Sequence, residues 1–286
     1  MANYQDLFFT VADGLRLYAR DYAGPSPQAP VALLMHGLSR NSRDFQSLAP
    51  ILAQTHRVLV PEQRGRGKSD YDSDVNRYQP QNYIADTLQL LAQQRLPQVA
   101  VIGTSMGGLM ALGMNAIQPG IFSHVVLNDI GPELAARGLD RIKTYVGSAS
   151  EFPTWELASA YCKQVNGDVF PNFQSADWLA FARQICSERD GKVMLDYDGK
   201  ISVGMKNPAS DVLPADLWSM FDLLRPLPLM LIRGAISDLL DEDCVAEMQR
   251  RHSAMAFLEV PNVGHAPMLN ENGVAEAIAG FINSPQ

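Results

Sequence analysis

Cysteine is scarce in this chain, and the few present form no metal or redox motif. The 286 residues include only three, Cys162, Cys186 and Cys244, and no two of them have C-x-x-C spacing. An odd number without that spacing argues against a disulfide framework and a thiolate zinc site, and it favours a reducing compartment. We therefore predict a cytoplasmic protein that requires no metal and no cofactor.

Basic runs and long apolar runs are also missing. The chain has 23 Lys and Arg against 31 Asp and Glu, a net charge of −8, which suits neither a phosphate backbone nor an anionic membrane surface. No apolar stretch reaches the roughly 18 residues of a membrane span, and no signal peptide is expected at the N-terminus. The predicted partner is a small-molecule substrate, not nucleic acid or membrane, and the oligomeric state stays open.

The chain does contain short apolar runs separated by helical segments. Runs that are apolar on both faces predict strands covered by helices on both sides. A β-hairpin with its turn at Asp13-Gly14 precedes them. The alternation predicts an α/β fold with a doubly wound, mostly parallel sheet. The predicted strands are 31–35, 58–60, 99–102, 125–127, 229–232 and 256–260, and the predicted helices are 42–54, 80–95, 106–117, 242–251 and 273–282.

The interval between residues 128 and 228 has no strong buried-strand pattern. Because a structureless loop of that length is implausible in a compact domain, we predict a mostly helical insertion above the sheet, with helices at 154–165 and 176–187. Its aromatic residues either line an acyl pocket or form the core of the insertion, and Tyr145 and Arg183 either contact a polar substrate group or lie on the surface. The aromatic residues are Phe152, Trp155, Tyr161, Phe170, Phe173 and Trp178.

The segment at residues 103–108 carries the strongest chemical pattern. It has the form G-x-S-x-G, with Ser105 at its centre, and it lies between a predicted strand and a predicted helix. Such a turn exposes a serine hydroxyl above the sheet, and Gly103 and Gly107 allow the strand and helix to pack closely. The amides at the start of the helix stabilise negative charge that develops there. The pattern predicts that Ser105 is a nucleophile.

A serine nucleophile needs a base, and His265 is the best placed of the five histidines. It follows the last predicted strand, at the sheet edge where ligand chemistry collects in such folds. The four others lie elsewhere along the chain or, like His36, are better suited to a hydrogen bond within a loop. We predict that His265 is the general base.

Two carboxylates compete to orient that histidine. Asp238 follows the predicted strand at 229–232 and is our preferred candidate. Asp129, just beyond the preceding strand, also reaches the histidine from the sheet edge and stays as the alternative acid. The oxyanion hole is predicted from the backbone N–H of Met106, directly after the nucleophile, and of Leu38, which follows the strand at 31–35.

Together these segments resemble the α/β-hydrolase family, in the order that this family has. The resemblance implies an eight-stranded, mostly parallel sheet at 1–131 and 226–286, with a helical cap at 132–225 inserted after the sixth strand. It also implies triad roles for Ser105, Asp238 and His265. The chain departs from the family at Glu62, where Asp is usual, a position that is generally structural. The matching segments are 36–38, 62–69, 103–108, 128–132, 233–238 and 264–265.

The leading functional hypothesis is a serine hydrolase that cleaves a small or medium carboxylic ester or lactone through an acyl-enzyme. The resemblance extends to capped hydrolases that break carbon–carbon bonds in dienoate ring-cleavage products, and this stays as an alternative. A non-enzymatic ligand-binding protein on the same fold is a lower alternative, because no member of the triad is missing from the sequence.

Overall fold

The structure is a computed structural model that describes residues 4–147, 151–206 and 216–285. Its strands are β1 (Gln5–Thr10), β2 (Arg16–Tyr22), β3 (Val31–Met35), β4 (Arg57–Glu62), β5 (Val99–Thr104), β6 (Phe122–Asn128), β7 (Glu151–Phe152), β8 (Cys186–Arg189), β9 (Lys192–Leu195), β10 (Leu229–Gly234) and β11 (Ala256–Val260). Its helices are α1 (Ala49–Leu52), α2 (Pro80–Gln93), α3 (Met106–Ile117), α4 (Ala136–Tyr145), α5 (Trp155–Asn166), α6 (Ser175–Ile185), α7 (Ile201–Lys206), α8 (Leu217–Asp222), α9 (Glu242–Arg251) and α10 (Val274–Ile282), with 3-10 turns at Ser42–Phe45 and Val75–Arg77.

Eight of the strands form one sheet in the order β1-β2-β4-β3-β5-β6-β10-β11. The pairs β1–β2 and β2–β4 are antiparallel, and every pair from β4 to β11 is parallel. The predicted α/β fold with a mostly parallel eight-stranded sheet is confirmed. Because parallel strands end at the same edge, the chain leaves β5, β6 and β10 side by side.

Burial explains which strands were easy to predict. All residues of β3 and β10 are buried, as expected of central strands covered on both faces. The predicted strand at 256–260 differs, because β11 lies at the edge of the sheet and its residues alternate in exposure. Phe257 there is 40% exposed.

Two predicted helices differ from the structure. In place of a single helix over 42–54, the chain forms a 3-10 turn at Ser42–Phe45 and then the one-turn helix α1, with Pro50 in its first turn. The helix predicted over 176–187 ends at Ile185, and β8 begins at the next residue.

The segment between β6 and β10 contains a second sheet that the sequence did not predict. It is antiparallel, in the order β7-β9-β8, and its strands have only two to four residues. Strands this short carry too few positions for a recognisable alternation. The other regular elements in the described part of this segment are helices α4 to α8. No helix within 4–147, 151–206 and 216–285 is both long enough and apolar enough to cross a membrane.

Candidate active site

Ser105 lies on a sharp turn between β5 and α3. Its φ of 52° and ψ of −117° are rare for a residue with a side chain. The strain is held by the surrounding packing and by a hydrogen bond of 3.0 Å from the Ser105 N–H to the carbonyl oxygen of Asn128. The hydroxyl consequently projects from the sheet edge into a cavity that Ser105 lines.

Glycines make this turn possible. A Cβ on Gly103 would lie 2.6 Å from the backbone of Gly107, and a Cβ on Gly107 would lie 2.2 Å from the carbonyl oxygen of Met35. Neither position has room for a side chain, so helix α3 packs directly against β5 and β3.

His265 lies within hydrogen-bonding distance of the serine. Its Nε2 is 2.9 Å from Ser105 Oγ and its Nδ1 is 2.8 Å from Asp129 Oδ2. An ionised carboxylate only accepts hydrogen bonds, so the proton resides on Nδ1, and Nε2 accepts from the serine hydroxyl. This tautomer is the one that a general base for Ser105 requires.

Asp129 is completely buried and positioned by several donors. It follows β6 with a φ of 55°, and its N–H donates to the carbonyl of Ile232 at 2.7 Å. Its Oδ1 accepts from the Gly234 N–H at 2.7 Å, and its Oδ2 accepts from the Ser237 hydroxyl at 2.6 Å. Together with His265, three donors therefore compensate the buried charge.

This geometry corrects the preferred choice of acid. Asp238 does not orient His265, because its carboxylate forms a two-point ion pair with Arg141 of α4, at 2.5 and 2.9 Å. Burial disfavours the ionised form of Asp238, but the hydrogen bonds and charge of Arg141 outweigh it and lower the pKa of this carboxyl. The alternative acid, Asp129, occupies the position beside the imidazole.

The loop after β3 is fixed by a buried histidine. His36 Nδ1 lies 2.7 Å from the carbonyl oxygen of Gly37, and its Nε2 accepts from the Gln63 N–H at 3.2 Å. Burial lowers the pKa of His36 to about 4, so the ring is neutral and Nδ1 donates. Because C=O and N–H point in opposite directions across a trans peptide, the Leu38 N–H is directed away from His36.

The two predicted oxyanion donors belong to residues near the serine in the cavity or in the sequence. Leu38 lines the cavity with Ser105, and the Arg66 guanidinium donates to the Leu38 carbonyl at 2.9 Å. Met106 is the first residue of α3, so its N–H has no acceptor within the helix. The oxyanion role of these two amides stays a prediction.

A cavity of about 110 Å³ adjoins the serine and histidine. Its wall is largely apolar, with Ile142 of α4, Phe170, Phe181 of α6 and Leu195 of β9 among its members. A void of about 150 Å³ holds a molecule the size of benzene, so this space suits a short acyl group.

The six aromatic residues left open between pocket and core divide between the two. Tyr161 and Phe170 line this cavity, and so does Tyr145. Trp178 is buried in an aromatic cluster with Phe173, Phe170 and Phe181, while Arg183 is exposed and lies over the Trp155 ring. Phe152 and Tyr161 form a further ring pair.

Several residues at the site were not singled out from the sequence. They are Ser237, which binds Asp129, and Arg40, Phe181 and Tyr197, which line the cavity. No local pattern marks Phe181 or Tyr197. Arg40 does carry a signal, because it lies just after the 36–38 segment.

The fold is that of an α/β hydrolase, and Ser105, His265 and Asp129 form one hydrogen-bonded series at its sheet edge. The alpha/beta hydrolase family model matches residues 32–277, and this chain belongs to that family and is a hydrolase enzyme. A non-enzymatic binding protein is therefore not retained as an alternative.

The chain is similar to several hydrolases over most of its length. It is 33% identical to a 3-hydroxybutyrate-oligomer hydrolase of Cupriavidus necator, covering 89% of this chain and 88% of that protein. It is 24% identical to a 2-(acetamidomethylene)succinate hydrolase of Mesorhizobium japonicum, covering 89% and 88%. An alpha/beta hydrolase crystal structure from Novosphingobium aromaticivorans superposes with a TM-score of 0.93 at 40% identity, covering 99% of each chain.

Proposed function

We propose that this enzyme hydrolyses a small carboxylic ester or lactone through an acyl-enzyme on Ser105. The observation that carries the proposal is the hydrogen-bonded series Ser105–His265–Asp129 at the wall of a small, mainly apolar cavity. The relative named for 3-hydroxybutyrate oligomers supports an ester, because such oligomers are joined by ester bonds.

In the first half of the proposed reaction, His265 Nε2 removes the proton from Ser105 as Oγ attacks the ester carbonyl. Asp129 holds the ring and stabilises the imidazolium that forms. The N–H groups of Leu38 and Met106 hold the oxyanion, and each such donor contributes about 3 kcal/mol in the transition state. The imidazolium then protonates the leaving alkoxide, and the alcohol departs.

In the second half, a water molecule takes the place of the alcohol. His265 Nε2 accepts its proton while the oxygen attacks the acyl-enzyme carbonyl, and the collapse of the second tetrahedral intermediate returns the proton to Ser105. We propose that residues 132–225 act as a cap that limits the length of the acyl group.

Replacement of the nucleophile tests this proposal. With 4-nitrophenyl butanoate as substrate, Ser105→Ala should lower kcat by at least about 10³-fold, because among the described residues it is the Ser105 hydroxyl that His265 holds. A fluorophosphonate should label the wild-type protein once, on Ser105. Ser39→Ala, which changes a serine of the same cavity, is the matched control and should retain most of the activity. Wild-type rates in Ser105→Ala would refute the proposal.

A further inference from the structure

A guanidinium lies in the cavity next to the proposed nucleophile. Arg40 follows the Leu38 loop and lines the cavity together with Ser105 and His265. A Cβ placed on Gly37 would lie 3.4 Å from Arg40 Cγ and 3.7 Å from Ser105 Cβ. The side chain of Arg40 therefore starts beside the serine and extends along the cavity wall.

Two contacts fix this guanidinium in place. Its Nε donates to both carboxylate oxygens of Asp44, at 3.0 and 2.8 Å. Its Cζ lies 4.5 Å from the centre of the Phe181 ring, which also lines the cavity. Stacking on an aromatic face leaves the edges of a guanidinium free to donate.

The outer edge of the Arg40 guanidinium is open to the cavity. Within the part of the chain that the structure describes, the hydrogen bonds of this side chain all come from Nε. The Nη atoms are not buried without a partner, and one-fifth of the Arg40 side chain stays accessible. The Nη1–Nη2 edge is therefore a two-donor site, still accessible, on a residue that lines the cavity beside Ser105.

A purely structural role does not account for this position. An acyl pocket is lined more favourably by aliphatic groups, because a partly desolvated cation loses hydration that one carboxylate contact only partly replaces. Of the Arg40 N–H groups, Asp44 accepts only from the Nε–H. The N–H groups on Nη1 and Nη2 remain, and together they match a second carboxylate in geometry and charge.

We propose that Arg40 binds a free carboxylate of the substrate, which makes the substrate a short ester bearing a carboxylate a few bonds from the scissile carbonyl. The small volume of the cavity sets this short separation. The inference rests on the proposed function, since it places the ester carbonyl at Ser105. Arg40 then determines specificity by holding one end of the ligand while the serine attacks the other.

Two matched ester pairs test for the carboxylate. Ionised 4-nitrophenyl hemisuccinate and 4-nitrophenyl butanoate differ on the acyl side by a carboxylate in place of a methyl group. The second pair, 3-acetoxybutanoate and its methyl ester, differs on the alcohol side. The readout is the ratio of kcat/KM for the charged over the neutral ester. The wild-type enzyme should give a ratio of at least about ten in one pair; ratios of one or less in both would overturn the inference.

Variants then assign the preference to one side chain. Arg40→Gln should lower the ratio by about 10- to 100-fold, the usual loss for charged hydrogen bonds. Arg183→Gln is the matched control, because it removes the same charge from an exposed residue of α6 and should leave the ratio unchanged. If both esters slowed equally in Arg40→Gln, the role of Arg40 would be structural and the inference wrong.

A measurement on the wild-type enzyme keeps the test valid if Arg40→Gln does not fold. Butanoate should inhibit 4-nitrophenyl butanoate hydrolysis at least tenfold more strongly than butanamide, which has the same shape without the charge. Equal inhibition would overturn the inference. Ser105-dependent hydrolysis of the neutral ester without any carboxylate preference would leave the proposed function intact and remove only the role of Arg40.

Discussion

Single residues at the site are held by hydrogen bonds that determine where protons reside. Asp129 accepts from Gly234, Ser237 and His265, so its charge is compensated although it is fully buried. The same contacts fix the imidazole so that Nε2 faces Ser105. A neutral His36 does the equivalent for the Leu38 amide through the Gly37 carbonyl.

The buried His36 predicts a pH dependence of stability. Its pKa is about 4 in the folded chain and about 6.5 when unfolded, so between these values the unfolded state binds more protons. The free energy of unfolding should therefore fall as the pH drops through this window, by about 3 kcal/mol in total. Urea denaturation of the wild type and of His36→Asn at about pH 7 and pH 4 measures this contribution.

The comparison between the two proteins isolates His36 from other titrating groups. His36→Asn should be less stable at neutral pH and should lose about 3 kcal/mol less than the wild type on acidification. If the variant keeps the full pH dependence of the wild type, the histidine is not held neutral as described.

At the scale of elements, the close packing of α3 on the sheet sets the position of the nucleophile. The helix approaches β3 so closely that a Cβ on Gly107 would overlap the Met35 carbonyl. The inserted segment fixes the opposite side of the site, since the Gly264 N–H donates to the Val169 carbonyl at 2.8 Å and Arg141 binds Asp238. The sheet and α3 thus position Ser105, and the loop that carries His265 is held by the inserted segment as well as by the sheet edge.

A pair of glycine substitutions tests that packing. Gly107→Ala should lower the free energy of unfolding by at least about 3 kcal/mol, because α3 must shift away from β3. Gly280→Ala, at an exposed position of α10 with nothing within 4 Å of the new Cβ, should instead stabilise the protein by about 0.5 kcal/mol. Thermal or urea unfolding of the two variants gives both values. A mild effect at Gly107 would mean that the helix is not packed as described.

On the scale of the whole molecule, distant parts of the chain meet at one sheet edge. His265 lies 160 residues from Ser105 and 136 from Asp129 along the sequence. The adjacency of β5 and β6 brings Ser105 and Asp129 together. The loop after β11 then brings the His265 imidazole back across β10. Asn128 supports that loop by donating to the Pro267 carbonyl at 2.8 Å.

Continuous apolar runs and the G-x-S-x-G turn are local patterns, and they predicted the sheet and the turn that holds Ser105. The position of His265 after the last strand predicted that it lies near the serine, as the structure has it. The sequence favoured Asp238 as the acid, whereas Asp129 lies beside the imidazole. Both follow strands that end side by side, and the difference comes from Arg141, whose position depends on how the inserted segment packs. The small sheet of that segment was missed because its strands are so short.

The choice between the two carboxylates is also the most direct test of the proposed mechanism. Asp129→Asn and Asp238→Asn should be compared by kcat on 4-nitrophenyl butanoate. Asp129→Asn should reduce kcat by about 10³- to 10⁴-fold, because an amide in that position no longer stabilises the imidazolium or the required tautomer. Asp238→Asn should reduce it at most about tenfold, since the amide oxygen still accepts from Arg141. The reverse order, with the larger loss at Asp238, would contradict the Ser105–His265–Asp129 assignment.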